Sequence, residues 1–507
     1  MAERQNLSIF FYIVVALCLS GNSDATTLRA TVTGNISALL IPFEALVTGV
    51  TNPHAMLYDS LTYVGNGGVI EPGLAVSWER TAPTTWLIHL RPGVVFSNGE
   101  PLTAEGVAQT FRYLKGPEAR RFVISAEVRT IERIEVIDDL TLEIITHKPD
   151  AIFAKRLSTI LIPAPRAYQE LGPEAFSLAP SGTGSFMLED WGLYTGRTVL
   201  VANPTSWRRS QQVNRVELLV INEHTTQFQA LLTGRIDMAY NFGILELDDL
   251  ESIGFKVHVI PSGQVLSLAL PNNRPNSPLN DVRVRQALNY AVDNSALAEL
   301  VFGGHMRPAG QGAIPTVFGY NPDISPYPYN PDMARALLKD AGFSDGLRLV
   351  AGVLIPSIPE DVTMYLKIQQ DMATAGVDLQ IKPMRGPEWI RRYFSGDWQE
   401  YDTISATWNS AAYWDAGRAI EIFSCKKQGA FFCLPEMLDM IDASNSNFDP
   451  ISRKRQLQVM LAELHRQAAS VFLVELADVV VTSSRMLNFP TRHKQLRVEE
   501  LRLADDS

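Results

Sequence analysis

Apolar and polar residues alternate between Trp86 and Arg91, where Trp86, Ile88 and Leu90 are interleaved with Leu87, His89 and Arg91. A period of two predicts a strand with one mostly apolar face. Pro92-Gly93 turns the chain, Val94 to Phe96 extends again, and Asn98-Gly99 reads as a hairpin-type turn. Thr103 then stands where a helix N-cap belongs, and Val107, Phe111 and Leu114 follow at helical spacing. Thr130 to Val136 and Leu140 to Thr146 alternate around Asp138-Asp139, predicting a β-hairpin. Further on, Val213 to Ile221 reads as a strand and Gln227 to Leu232 as a helix ended by Gly234. Helices are predicted at Val282–Val292 and Ala296–Phe302. A Pro-rich connector, Pro308 to Pro331, leads to a helix over Met333–Ala341 that Gly342 stops. The strands Leu347–Leu354 and Val377–Lys382 bracket a helix over Asp361–Ala375. There is no internal repeat or low-complexity block. This order predicts an α/β protein of two lobes, each a sheet flanked by helices.

Composition narrows the class. A chain of 507 residues exceeds the usual size of one domain, and its apolar content of 46% can fill large cores. The formal net charge of -11, without any Lys/Arg run, argues against a nucleic-acid partner, since phosphate binding needs a basic stripe. At the N-terminus, Ile9 to Leu19 is an apolar run far short of the roughly 20 residues of a membrane span. It is followed by Ser23-x-Ala25, an acceptable signal-peptidase site. Residues 1–25 are therefore expected to be a cleaved signal peptide, with the mature protein starting near Thr26 in the periplasm. A lipid anchor on Cys18 fits less well, because Leu17 occupies the position that needs Gly, Ala or Ser. After cleavage Cys425 and Cys433 remain as an even pair. In an oxidising compartment their spacing across FSCKKQGAFFC suits a small disulfide-closed loop worth about 2 kcal/mol. Two buried thiols are the alternative.

Catalytic and metal motifs are missing from the sequence. It contains no GxSxG elbow, HExxH helix or GxxxxGK[ST] loop. Its eight histidines include no i, i+4 pair, so no metal site and no cofactor is expected. A secreted glycosidase remains the rival from another class, because paired acids are available in any acidic protein.

The run LAVSWERTAPTTWLIHLRPGVVFSNGEPLTAEGV, Leu74 to Val107, resembles the peptide/nickel family of solute-binding proteins, the extracytoplasmic receptors of ABC importers. Gly106, and Ser97-Asn98 in place of His-Asp, depart from the family pattern. SGTGSFML at Ser181–Leu188, LLTGRIDMA at Leu231–Ala239 and LNDVRVRQALNYAVD at Leu279–Asp293 resemble further family segments in the same order. The resemblance implies a periplasmic-binding-protein-like fold of three domains with hinge closure. Domain I would comprise 26–56, 181–262 and 481–507; domain II, 57–180; domain III, 263–480. It also implies a ligand buried between domains I and III, a non-enzymatic role, permease subunits in the inner membrane as partners, and a monomer. A sensory receptor is a further alternative.

The family's pocket segment matches YDTISATWNSAAYWDAG, Tyr401 to Gly417. On that match Trp408 would form a pocket wall, with core packing as the competing role. Where dipeptide and oligopeptide receptors carry the Asp that pairs with the ligand's α-ammonium, this chain has Ala411. A buried ammonium without a carboxylate costs several kcal/mol, so the expected ligand is a small solute that lacks an exposed one, such as a blocked peptide, an opine-like conjugate or a sugar-containing amide. Asn409 and Ser410 offer neutral donors and acceptors. Asp415 either binds the ligand after a shift of the loop or caps a helix running through Ile420. In domain I, Asn35 is the candidate, against a plain loop turn.

Overall fold

The computed structural model describes residues 26–32, 40–44, 52–192, 195–244, 247–427 and 429–504. Among these, the frame is an eleven-stranded mixed sheet. Its spatial order is Phe186–Asp190, Arg197–Ala202, Arg215–Val220, Thr27–Val32, Met238–Tyr240, Ser470–Thr482, Lys256–Ala269, Thr403–Asn409, Leu347–Leu354 and Val377–Met384. The short strand Arg307–Pro308 adds beside Ser470–Thr482.

The two longest strands, Lys256–Ala269 and Ser470–Thr482, are antiparallel neighbours, from Lys256 opposite Thr482 to Ala269 opposite Ser470. Their register slips between Pro261 and Gln264. The sequence explains the slip. Pro261 has no N–H for the ladder, and Gly263 sits at φ +75°, a left-handed conformation that suits a bulge. A Cβ on Gly263 would also come within 2.4 Å of the Trp414 ring. Ser262 Oγ donates to the Leu476 carbonyl across the break at 2.8 Å. On one side of it Ser470–Thr482 pairs with Met238–Tyr240; on the other Lys256–Ala269 pairs with Thr403–Asn409. The same two strands thus pass from one half of the sheet to the other.

A second, four-stranded antiparallel sheet is built from Ala75–Ala82, Thr85–Leu90, Thr141–Thr146 and Ile131–Asp138. Trp86, Ile88 and Leu90 form its buried face. The helix Ala104–Lys115 belongs to this unit; it buries Val107, Phe111 and Leu114, and Thr103 Oγ1 accepts the Gly106 N–H at 3.1 Å. The other expected elements form with ends moved by a few residues. The helix expected from Gln227 starts at His224, and the one expected from Met333 starts at Pro331, capped by Asn330 Oδ1 on the Met333 N–H. Among the elements the patterns did not predict are the two long strands and the helix Pro450–Arg466.

The cores follow this layout. One unites Ile88, Phe111 and Phe153 with Leu28 and Leu218. A second runs from Leu231 and Ile236 through Leu266 and Val474 to Leu349 and Ile368, crossing both halves of the sheet. A third gathers Trp408, Phe423, Leu457 and Phe472. Cys425 and Cys433 form a disulfide with Cα atoms 4.8 Å apart. Asn272 clamps that loop, accepting the Cys433 N–H and donating to its carbonyl. No helix among the described residues is long and apolar enough to cross a membrane. The expected signal peptide lies outside the described residues.

Candidate interlobe site

The strand Thr403–Asn409 ends at a turn that leads into the helix Ala416–Phe423, and every candidate residue of the second half lies on this passage. Period two places Ile404, Ala406 and Trp408 on the face turned to the third core. Trp408 is accordingly fully buried. Its indole stacks on Phe423 with centroids 3.8 Å apart, and Nε1 donates to Ser470 Oγ at 3.1 Å. A Cβ on Gly312 would come within 2.2 Å of that ring. Packed on both faces, the indole lines neither cavity described below; in this structure it has the competing core role.

Asn409 is a turn-former, its Oδ1 accepting the Ala411 N–H at 3.0 Å while its carbonyl accepts from Arg418. Ser410 is buried, its N–H bonded to the Gly263 carbonyl and its own carbonyl accepting from Trp414 N–H at 2.7 Å. Its hydroxyl has no partner among the described residues. Asp415 caps the helix by accepting the Gly417 N–H at 3.0 Å. It also accepts from Arg453 through both oxygens, at 2.6 and 3.0 Å, and from Lys155 Nζ at 2.9 Å. Burial pushes the Asp415 carboxyl up, but Lys155 and then Arg453 outweigh it and hold the group at about 2. With both oxygens engaged, Asp415 offers no free position to a ligand ammonium. Asn35 lies outside the described residues.

Lys155 comes from the four-stranded unit, so its bond to Asp415 crosses between the two parts of the molecule. Other bonds cross beside it. Arg156 donates to Tyr413 Oη at 3.4 Å, and Tyr413 Oη donates to Glu127. The Ala151 N–H reaches the Asn445 carbonyl at 2.7 Å, and Lys148 pairs with Asp442 at 2.7 Å. From the C-terminal segment, His493 Nε2 meets the Ala411 carbonyl at 3.2 Å while its ring packs edge-on against Trp414. Burial lowers His493 to about 4. Sequence reasoning missed Lys155, Arg156, Arg453 and His493. They come from helices and a tail far apart in the chain, and no motif marks them.

Two cavities flank the turn. Ala411 and Ala412 line a cavity of about 80 Å³ with Tyr63, Arg208 and Arg492. Arg208 is fully occupied there by Asp59 at 2.6 Å, Glu499 at 2.7 Å and the Ala55 carbonyl. Tyr413, the next residue, lines a cavity of about 680 Å³ between the four-stranded unit and the second half. Among the described residues no group of three or more His, Cys, Asp or Glu is placed to hold a metal ion. The arrangement holds two parts of a molecule together beside two cavities.

Comparison with known proteins agrees with that architecture. The sequence profile of bacterial extracellular solute-binding proteins, family 5 Middle, matches residues 69–430. The nickel-binding periplasmic protein of Escherichia coli is 26% identical over 478 residues, covering 87% of this chain and 90% of that one. The heme-binding protein A of Haemophilus influenzae is 28% identical over 349 residues, which is 63% of each protein. In fold, the chain is similar to the ABC transporter-associated periplasmic binding protein DppA of Helicobacter pylori in complex with peptide STSA. That likeness has a TM-score of 0.81 at 21% identity, covering 94% of this chain and 98% of that one. With its two-lobed α/β fold and most of its length inside the profile, this chain belongs to the bacterial extracellular solute-binding proteins of family 5.

Proposed function

We propose that this protein is the solute receptor of an ABC importer, which takes up a peptide, an opine-like conjugate or another small solute in the periplasm and catalyses nothing. The closed form then docks on permease subunits in the inner membrane. The observation that carries this reading is mechanical. Two strands join the halves through a bulge at Pro261–Gln264, and Lys155–Asp415 with its neighbours latches them over the cavities. A bulge concentrates bending where the ladder is already broken, and a solute bridging the parts shifts the population toward the closed form.

In this reading residues 1–25 leave on export, and the mature monomer begins near Thr26. Domain I comprises 26–56, 181–262 and 481–507, domain II 57–180 and domain III 263–480. The bulge supports the limit at Ser262–Gly263; in the opposite strand the crossing lies a few residues before Val480, at Leu476–Ala477. The ligand meets the turn Asn409–Tyr413, with Asn409 and Ser410 shaping it and Ala411 in place of a carboxylate. Because Asp415 is already saturated, a solute without an exposed α-ammonium fits best.

Native mass spectrometry of protein purified from the periplasm should show the mature chain carrying a small molecule. Stripping that molecule by unfolding and refolding should expand the scattering profile, and returning it should compact the profile again. A profile unchanged by saturating solute would overturn the receptor reading.

A further inference from the structure

The larger cavity, about 680 Å³, has a charge pattern that the receptor reading does not by itself require. Its volume lies within the range of small-molecule sites, about 300–1,000 Å³. Seven Lys and Arg residues line it against four carboxylates, Glu127, Asp150, Glu421 and Asp442. All four carboxylates are engaged. Arg156 holds Glu127 and Asp150, each at 2.9 Å, and Lys426 reaches Asp442 at 2.5 Å and Glu421 at 3.5 Å. Several cations are not matched in this way. Arg120, Arg129, Arg418 and Lys427 have no ion-pair partner among the described residues, and Arg418 donates to the Asn409 carbonyl.

Lys427 is the most telling. Its Nζ is buried with no hydrogen-bond partner, 3.1 Å from the centre of the Tyr393 ring and 4.8 Å from that of Phe431. Burial alone lowers it to about 7. A buried ammonium without a counter-ion is costly, and ring faces offset part of that cost. It is a position at which an anion gains most. Tyr393 and Phe394 line the same cavity; the Phe394 ring is half exposed, whereas Tyr393 is covered by Lys427 Nζ and by Trp389, stacked on it with centroids 5.2 Å apart.

We propose that this cavity receives an anionic solute with a planar or apolar body: Lys427 Nζ swings off the Tyr393 ring to meet an acidic group beside Arg418, and the body lies on Phe394 and on the Tyr393 face so vacated. The proposal rests on the receptor reading and adds the chemical class of the ligand. A cleft filled with solvent, in which Lys427 merely rests on two rings, is the competing state.

Calorimetry with naphthalene-2,6-dicarboxylate as probe and 2,6-bis(hydroxymethyl)naphthalene as its neutral counterpart separates the two. The diacid should bind one per chain and at least about tenfold tighter than the diol. Lys427→Met should remove that preference and Lys427→Arg should retain it, while Arg492→Gln at the smaller cavity should leave it unchanged. Matching thermal midpoints for the Lys427 variants establish that the fold is kept. No saturable binding, equal binding of diacid and diol, or an undiminished preference in Lys427→Met would overturn the proposal. The receptor reading fails by a different measurement, the scattering profile with its own solute.

Discussion

Lys155→Met isolates the bond between the four-stranded unit and the turn. Lys155 Nζ lies 2.9 Å from Asp415 Oδ2, with the Lys155 side chain 16% exposed and that of Asp415 1%. Removing one partner of a buried pair costs about 3–5 kcal/mol when the other charge is left bare. Here it is not left bare, because Arg453 keeps both of its bonds to the carboxylate. The expected loss is therefore smaller, about 1–2 kcal/mol, or about 5–30-fold in the ratio of closed to open molecules. Arg453 and Asp415 belong to the same half, so Arg453→Met should lower the thermal midpoint with much less effect on closure. Single-molecule energy transfer between dyes at exposed Glu118 and Glu436 would read the closed fraction directly. Acid should act on the same group. Asp415 is held at about 2, below its ordinary 3.8. Its contribution is thus complete above about pH 4 and lost as the pH falls toward 2. An unchanged closed fraction in Lys155→Met, or equal effects on closure from the two variants, would refute this assignment.

Three further outcomes are expected. His54 and His493 are both lowered by burial to about 4, so their neutral forms stabilise the folded state fully above about pH 6.5 and lose that contribution as the pH falls toward 4. Urea melts of His493→Gln should then lose about 2 kcal/mol less than the parent between pH 7 and pH 5, and identical losses would refute the assignment. Free-thiol titration of unreduced, denatured protein should find no titratable Cys425 or Cys433, and Cys425→Ser with Cys433→Ser should cost about 2 kcal/mol in the same melts; two reactive thiols would count against both. Calorimetry with a short peptide and its N-acetylated form should show no advantage of about tenfold for the free amine, and such an advantage abolished by Asp415→Asn would sink the reading of Ala411.

Local patterns carried much of the fold. The strand Thr85–Leu90, the cap at Thr103 and the strand Leu347–Leu354 stand where alternation and capping put them, because each is decided within a few residues. The two long strands were illegible for opposite reasons. In Lys256–Ala269 the Pro-Ser-Gly triplet reads as a stop, whereas the chain continues through it as a bulge; Ser470–Thr482 is a near-continuous apolar run without period. At the site, the same alternation that marks a strand over Thr403–Asn409 also turns Trp408 into the core. The latch was beyond sequence reasoning, since Lys155 and Asp415 are 260 residues apart and nothing near either names the other.

The central strand pair also determines how the molecule can be assembled. Ser262 and the Leu476 carbonyl, bonded across the bulge, are 214 residues apart in the chain. Pairing at such separation closes slowly, because the loop must be ordered before any contact rewards it. The second core makes matters stricter, drawing on Ile236 and Leu349 together with Val474 and Val481. Neither half can finish its sheet until the last long strand arrives, so the lobes that move separately when binding a solute are one unit when folding. A chain ending before Ser470 should therefore fail to yield either lobe.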